Sequence, residues 1–177
     1  MSERLPTCEM TIKLLERSGC SKKVIQHCEI VAELAVKMAK ILQGKGFNID
    51  LRLVEIGALF HDIGRSKTHS VDHVIAGVEI AKSLALPDAI IRIIERHVGG
   101  GIPPNEAEQL SWPRKSYMPE TLEERIVCYA DKLVASNRKV PIEQTIAHYV
   151  RKHGKNHPSI ARLKALHEEF QSLLGEF

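Results

Sequence analysis

Asp50-Leu51-Arg52-Leu53-Val54-Glu55-Ile56-Gly57-Ala58-Leu59-Phe60-His61-Asp62-Ile63-Gly64 reads as one helix with polar residues where packing residues belong. Asp50 opens it, Val54, Gly57, Ala58 and His61 follow at helical spacing, and Gly64 stands just past its end as a breaker. Neighbouring helical side chains diverge by about 100°, so His61 and Asp62 reach one centre only if the helix end is aimed at it. Gly64 then releases the chain directly afterwards.

The same helical period extends in both directions. Upstream, a helix of about residues 7 to 18 starts at Thr7 with Met10, Leu14 and Leu15 as its apolar face and stops at Gly19. Ser21 caps a longer one, to about Gly44, with Val24, His27, Val31, Leu34, Met38 and Leu42 along one stripe. Downstream, a short basic loop (65 to 70) precedes a helix of about 71 to 85 that carries His73, Gly77 and Ile80. Pro87 launches the next, with Ile90, Ile94 and His97 on one face, and Gly99, Gly100 and Gly101 end it. Residues 102 to 120 are irregular, with four prolines and the only Trp, and suit a lid, a binding loop or a mobile surface excursion. Thr121 and Glu124 form a capping-box pattern for a helix carrying Leu122, Ile126, Val127, Ala130 and Val134 around Asp131. Pro141 and Pro158 begin the last two helices, whose His148, His153, His157 and His167 read as solvated surface. No alternating run bounded by two-residue turns appears. The expected fold is all-α: a single domain, 1–177, of about seven to eight helices, with a core at about 20–140 that holds the polar positions and a C-terminal helical extension at about 141–177.

A chain of 177 residues, 44% hydrophobic and 27% charged, suits one globular domain and excludes disorder and collagen-like structure. Its 25 basic and 22 acidic residues give +3, without dense basic runs. Nucleic acid is therefore not an expected partner: Arg138, Lys139, Arg151, Lys152 and Lys155 are the footing of that reading, and 5% aromatic content offers few faces for stacking bases. A phosphate-bearing ligand stays open. Short apolar runs and an N-terminus without the basic-then-apolar order of a leader point to the cytoplasm and away from membranes. Cysteines 8, 20, 28 and 128 form no CxxC pair and read as reduced thiols, with Cys28 and Cys128 in apolar segments. The last helices are available to a homodimer once the core's needs are met.

His27, the pair His61 and Asp62, His73, His97 and Asp131 all lie on hydrophobic stripes. An unpaired buried charge costs several kcal/mol, roughly, so something must satisfy these groups. A shared metal centre would do so. Imidazole and carboxylate suit manganese, iron, cobalt, nickel or zinc, and the lack of a thiolate pair argues against a structural zinc site.

His61-Asp62-Ile63-Gly64, with His27 upstream and Ala130-Asp131-Lys132 downstream, closely resembles the HD superfamily of metal-dependent phosphohydrolases, over about residues 20 to 140. The resemblance implies His27, His61, Asp62 and Asp131 as metal ligands. His73 and His97 look like the two additional histidines of two-metal subgroups. His73-Val74-Ile75-Ala76-Gly77 is similar to a segment of the cyclic-dinucleotide phosphodiesterase branch and of HD-type diadenosine tetraphosphate hydrolases. Val98 stands where the phosphodiesterase branch carries a second histidine, which argues against cyclic dinucleotides. Arg65 replaces the lysine that often follows this motif.

The chemistry implied is hydrolysis of a nucleotide or other small phosphate ester or anhydride. Two divalent cations about 3.5 to 4 Å apart share a water, lower its pKa and offset the developing oxyanion. Asp62 is the expected bridge, with His27, His61 and Asp131 on one ion and His73 and His97 on the other. Basic residues near the centre include Arg65, Lys67, Arg96 and Lys132, of which Arg65 and Lys132 are the candidates to pair with a phosphate oxygen. The alternative is a non-catalytic HD module that binds a nucleotide or RNA and transmits a signal.

Overall fold

The computed structural model describes residues 5–175. Helices α1 (Cys8–Arg17), α2 (Lys22–Gly44) and α3 (Leu51–Phe60) are followed by a 3-10 turn (Ile63–Ser66), then α4 (His73–Ser83), α5 (Asp88–Glu95), a second 3-10 turn (Val98–Gly100) and α6 (Pro104–Gln109). Next come α7 (Leu122–Lys132), strands β1 (Val134–Ala135) and β2 (Arg138–Lys139), α8 (Ile142–His153) and α9 (Pro158–Leu174). The fold is all-α apart from that small hairpin. No described helix is long and apolar enough to cross a membrane.

Local chemistry sets the helix starts. Thr7, Ser21 and Asp50 each accept a hydrogen bond from the backbone N–H three residues on, and Thr121 and Glu124 complete a reciprocal capping box. The long α2 runs through the core, burying Val31, Ala35, Met38 and Leu42 against α3 and α7. Leu166, Phe170 and Leu174 of α9 join the same core, with Phe170 stacked on Tyr129 at 4.6 Å.

Three expectations need correction. Met10 is 47% exposed, and α1 buries Thr11 beside the expected Leu15. Thr11 tolerates burial because its hydroxyl donates to the Thr7 carbonyl, 2.9 Å away. Second, residues 102 to 120 are neither a loose excursion nor a wall of the cavity described below. They contain α6 and a bridge between Ile102 and Tyr117, and bury Trp112 and Tyr117 against Val74 in a second apolar cluster. Arg162 ties α6 to α9 by two hydrogen bonds to Glu106, and the Trp112 indole N–H donates to Asp72 at 2.8 Å, just before His73. Third, the β1–β2 hairpin was not expected, because two-residue strands are too short to show an alternating pattern.

Cys20, Cys28 and Cys128 are buried and Cys8 is half-buried. Burial pushes the Cys20 and Cys128 thiols up to about 11 and raises Cys28 well above the ordinary range. Titration of the native protein with a thiol-specific disulfide reagent at pH 8 should therefore count one thiol per chain, Cys8, and four after denaturation. Four in the native state would show that the core opens readily.

Candidate metal centre

Six side chains from five parts of the fold meet in one place. α2 supplies His27, the end of α3 supplies His61 and then Asp62, and α4 begins with His73. His97 follows α5, and Asp131 is the penultimate residue of α7. His61, Asp62, His73 and His97 are buried; His27 and Asp131 reach the edge.

Each imidazole is clamped by its Nδ1. His61 donates to the Ala58 carbonyl (2.6 Å), His73 to Ser70 (2.8 Å) and His97 to Ile94 (2.7 Å), each three residues back. His27 donates to the Ser136 carbonyl in the hairpin turn at 2.8 Å. A carbonyl can only accept, so Nδ1 carries the proton and Nε2 of a neutral ring presents a lone pair. All four Nε2 atoms face the carboxylates. His73 Nε2 lies 3.1 Å and His97 Nε2 3.4 Å from Asp62 Oδ1, while His27 and His61 approach Oδ2 at 3.8 and 3.7 Å. Asp131 Oδ1 is 3.0 Å from His27 and 3.4 Å from His61.

This is a set of acceptors facing acceptors. His73 Nε2 and His97 Nε2 stand 3.1 Å apart, a contact that needs an extra proton or a cation between the rings. Burial lowers the His97 pKa to about 4, which disfavours the proton. His61 Nε2 and Asp62 Oδ1 are buried without a hydrogen-bond partner. Burial works against ionised carboxylates, yet positive charge at His61 and His73 holds Asp62, and that of Lys132 and His27 holds Asp131, well below the usual range; a cation among neutral rings would supply the same charge. For His27, burial opposes the charge and the Asp131 contact outweighs it, so its pKa is raised. Two triads are compact enough to hold a cation: His27, His61 and Asp131, and His61, Asp62 and His97. The donor set, its ready lone pairs and its unpartnered buried atoms fit divalent transition metals.

The expected phosphate-binding cations are engaged otherwise. Arg65 Nε donates to Asp62 Oδ2 at 2.7 Å and Nη1 to the His69 carbonyl at 3.2 Å. Lys132 donates to Asp131 Oδ2 and is buried. Both line the cavity, and Arg65 holds the Asp62 oxygen that faces His27 and His61, while Lys132 holds the Asp131 oxygen other than the one beside those rings. Lys67 and Arg96 lie outside the cavity, Arg96 on Glu120 and Glu124 at 3.0 and 2.9 Å.

A cavity of about 850 Å³ opens over the centre. Its far wall is α8, where Gln144, Thr145, His148, Tyr149 and Lys152 recur at helical spacing. His148 and His153, expected at the solvated surface, are exposed and also line this cavity. α8 fully buries only Ile142.

Comparison with known proteins agrees with this geometry. The HD domain model matches residues 24–136. An uncharacterised protein of Methanocaldococcus jannaschii is 43% identical over 155 residues, covering 88% of this chain and 92% of that one. A tRNA (cytidine(56)-2'-O)-methyltransferase of Picrophilus torridus is 42% identical over 171 residues. That match covers 97% of this chain but only 48% of the relative, so the chain spans about half the methyltransferase's length. Among solved structures, the HD domain of the L. monocytogenes phosphodiesterase PgpH in complex with cyclic-di-AMP superposes with a TM-score of 0.55 at 18% identity, over 95% of this chain and 98% of that one. The match runs from α2 through α7, and the chain belongs to the HD domain family.

Proposed function

We propose that the protein is a metal-dependent phosphohydrolase acting on a nucleotide or other small phosphate ester or anhydride. The observation that carries this reading is the convergence of four clamped Nε2 lone pairs on two ionised carboxylates, with His61 Nε2 and Asp62 Oδ1 unpartnered. His27, His61 and Asp131 would hold one ion and His73 and His97 the other, with Asp62 between them because its two oxygens face the two halves of the set. Manganese, iron, cobalt, nickel and zinc all suit these donors. Divalent ions supply Lewis-acid charge and lower the pKa of a water toward neutrality.

The chain's own residues do the positioning. Arg65 and Lys132 grip Oδ2 of Asp62 and of Asp131, which fixes the carboxylates and keeps positive charge beside the reacting phosphorus. The buried thiols, pushed up in pKa, are not placed to attack, so no covalent step is invoked.

Elemental analysis of protein purified without chelator, with a panel of phosphodiesters and phosphomonoesters, tests this. The expected result is bound transition metal, lost in His61→Ala, together with turnover of at least one ester class. Metal-loaded protein inert across both classes, with His61→Ala leaving metal content unchanged, would sink it. One observation favours a second reading, a non-catalytic module that binds RNA: the long match to a relative named for tRNA methylation. Metal-loaded protein that binds RNA and turns over no ester would select that reading.

A further inference from the structure

The mouth of the cavity carries positive charge that no carboxylate among the described residues neutralises. Several bases elsewhere meet carboxylates: Lys139 pairs with Glu33, Arg125 with Glu169 and Arg162 with Glu106. Lys23, Arg151 and Lys152 line the cavity and have no carboxylate partner among the described residues. Among the described residues the only acidic side chains lining it are Asp62 and Asp131, both committed to imidazoles and to Arg65 and Lys132. Arg151 and Lys152 sit in the last turn of α8, where the helix dipole favours cations. Lys23 sits in the first turn of α2, where the dipole opposes one and no acidic residue compensates. A cation at an unfavourable position, lining the same cavity as two more, suits an anion that no described side chain supplies.

An aromatic surface lies beside this rim. The half-buried Tyr149 ring lines the cavity, with His148 at 6.3 Å and His153 at 5.7 Å between ring centroids. Rings so placed offer a face to a nucleobase. An ester with one phosphate would occupy the metal centre and leave the rim unused.

Building on the hydrolase reading, we propose that the substrate carries at least one phosphate besides the one attacked, held by Lys23, Arg151 and Lys152, with a base against Tyr149. Two kinds of molecule share that chemistry: a nucleotide with a phosphate chain and a short single-stranded oligonucleotide. The second departs from the expectation that nucleic acid is not a partner.

The test compares the metal-loaded protein with its Lys23→Ala/Arg151→Ala/Lys152→Ala variant. Three probes are used: bis(p-nitrophenyl) phosphate, a nucleoside triphosphate and a five-nucleotide phosphorothioate RNA, the last followed by fluorescence anisotropy at several salt concentrations. Affinity for the triphosphate or the RNA should fall about tenfold or more in the variant relative to any change in KM for the one-phosphate ester. The probe that suffers the loss names the source. If it is the RNA, the slope of log affinity against log salt should shrink by about 2, near 0.7 for each phosphate contact removed. A variant that keeps full affinity for both multi-phosphate probes, or loses all three probes equally, overturns the proposal. Wild-type protein that turns over no ester yet shows this selective binding would overturn the hydrolase reading and leave the rim standing. A Tyr149→Leu variant gives an independent arm, in which affinity should fall for base-bearing probes and not for inorganic triphosphate.

Discussion

Replacing Asp62 by asparagine should strip the protein of most of its transition metal and lower phosphoester turnover by about 10³-fold or more, while the chain stays folded. Asp62 lies where all four imidazoles can be reached, with Oδ1 toward His73 and His97 and Oδ2 toward His27 and His61. Asparagine keeps the shape and loses the charge. Its NH2 group would also donate to lone pairs that now have no partner, offering the buried nitrogens a hydrogen bond in place of a cation. Elemental analysis, a rate assay and a melting curve of the metal-free variant check the three parts separately. Unchanged metal content in the asparagine variant would remove Asp62 from the centre.

The second large effect is expected at Gly64, which does not need glycine for a left-handed backbone. A Cβ there would lie 1.8 Å from the His73 carbonyl oxygen and 2.6 Å from the Gly77 nitrogen. Both are backbone atoms, so no side chain can swing away, and the 3-10 turn must separate from α4. Gly64→Ala should cost about 3 kcal/mol or more, at the upper end of overpacking, which in a domain of this size lowers Tm by roughly 6 to 12 °C. It should also weaken metal binding, because the displaced strand of backbone starts the helix that presents His73. Gly44→Ala is the control: a Cβ there meets nothing within 4 Å, and its melting temperature should hold or rise slightly. Equal behaviour of the two variants would mean that the close approach at Gly64 is not tight.

Much of this was legible in the sequence because the signals are local or periodic. Thr7, Ser21, Asp50 and the Thr121–Glu124 box mark the helix starts that the structure has, since a cap is decided within four residues. The four imidazoles and two carboxylates were visible because each interrupts an apolar stripe, and the structure links all six through Asp62 and Asp131. What escaped depends on distance along the chain. Arg65 and Lys132 could not be distinguished as phosphate contacts or carboxylate partners without knowing which lone pairs the imidazoles leave unused. The 102–120 segment has no period of its own, and its order comes from Trp112 and Arg162 reaching other elements. α8 carries few apolar residues and so read as periphery, whereas its polar face borders a space above the metal ligands.

The four ring clamps described above are unequal in kind. Three close within a single turn of their own segment, and the fourth joins His27 to Ser136, 109 residues away, in a hairpin whose strands are two residues long and whose turn is exposed. Short, solvent-facing elements are where native proteins open at least cost. In the proposed metal centre His27 is therefore the side chain free to swivel first, and ion exchange at its half should be paced by hairpin breathing, ahead of exchange at the half assigned to His73 and His97.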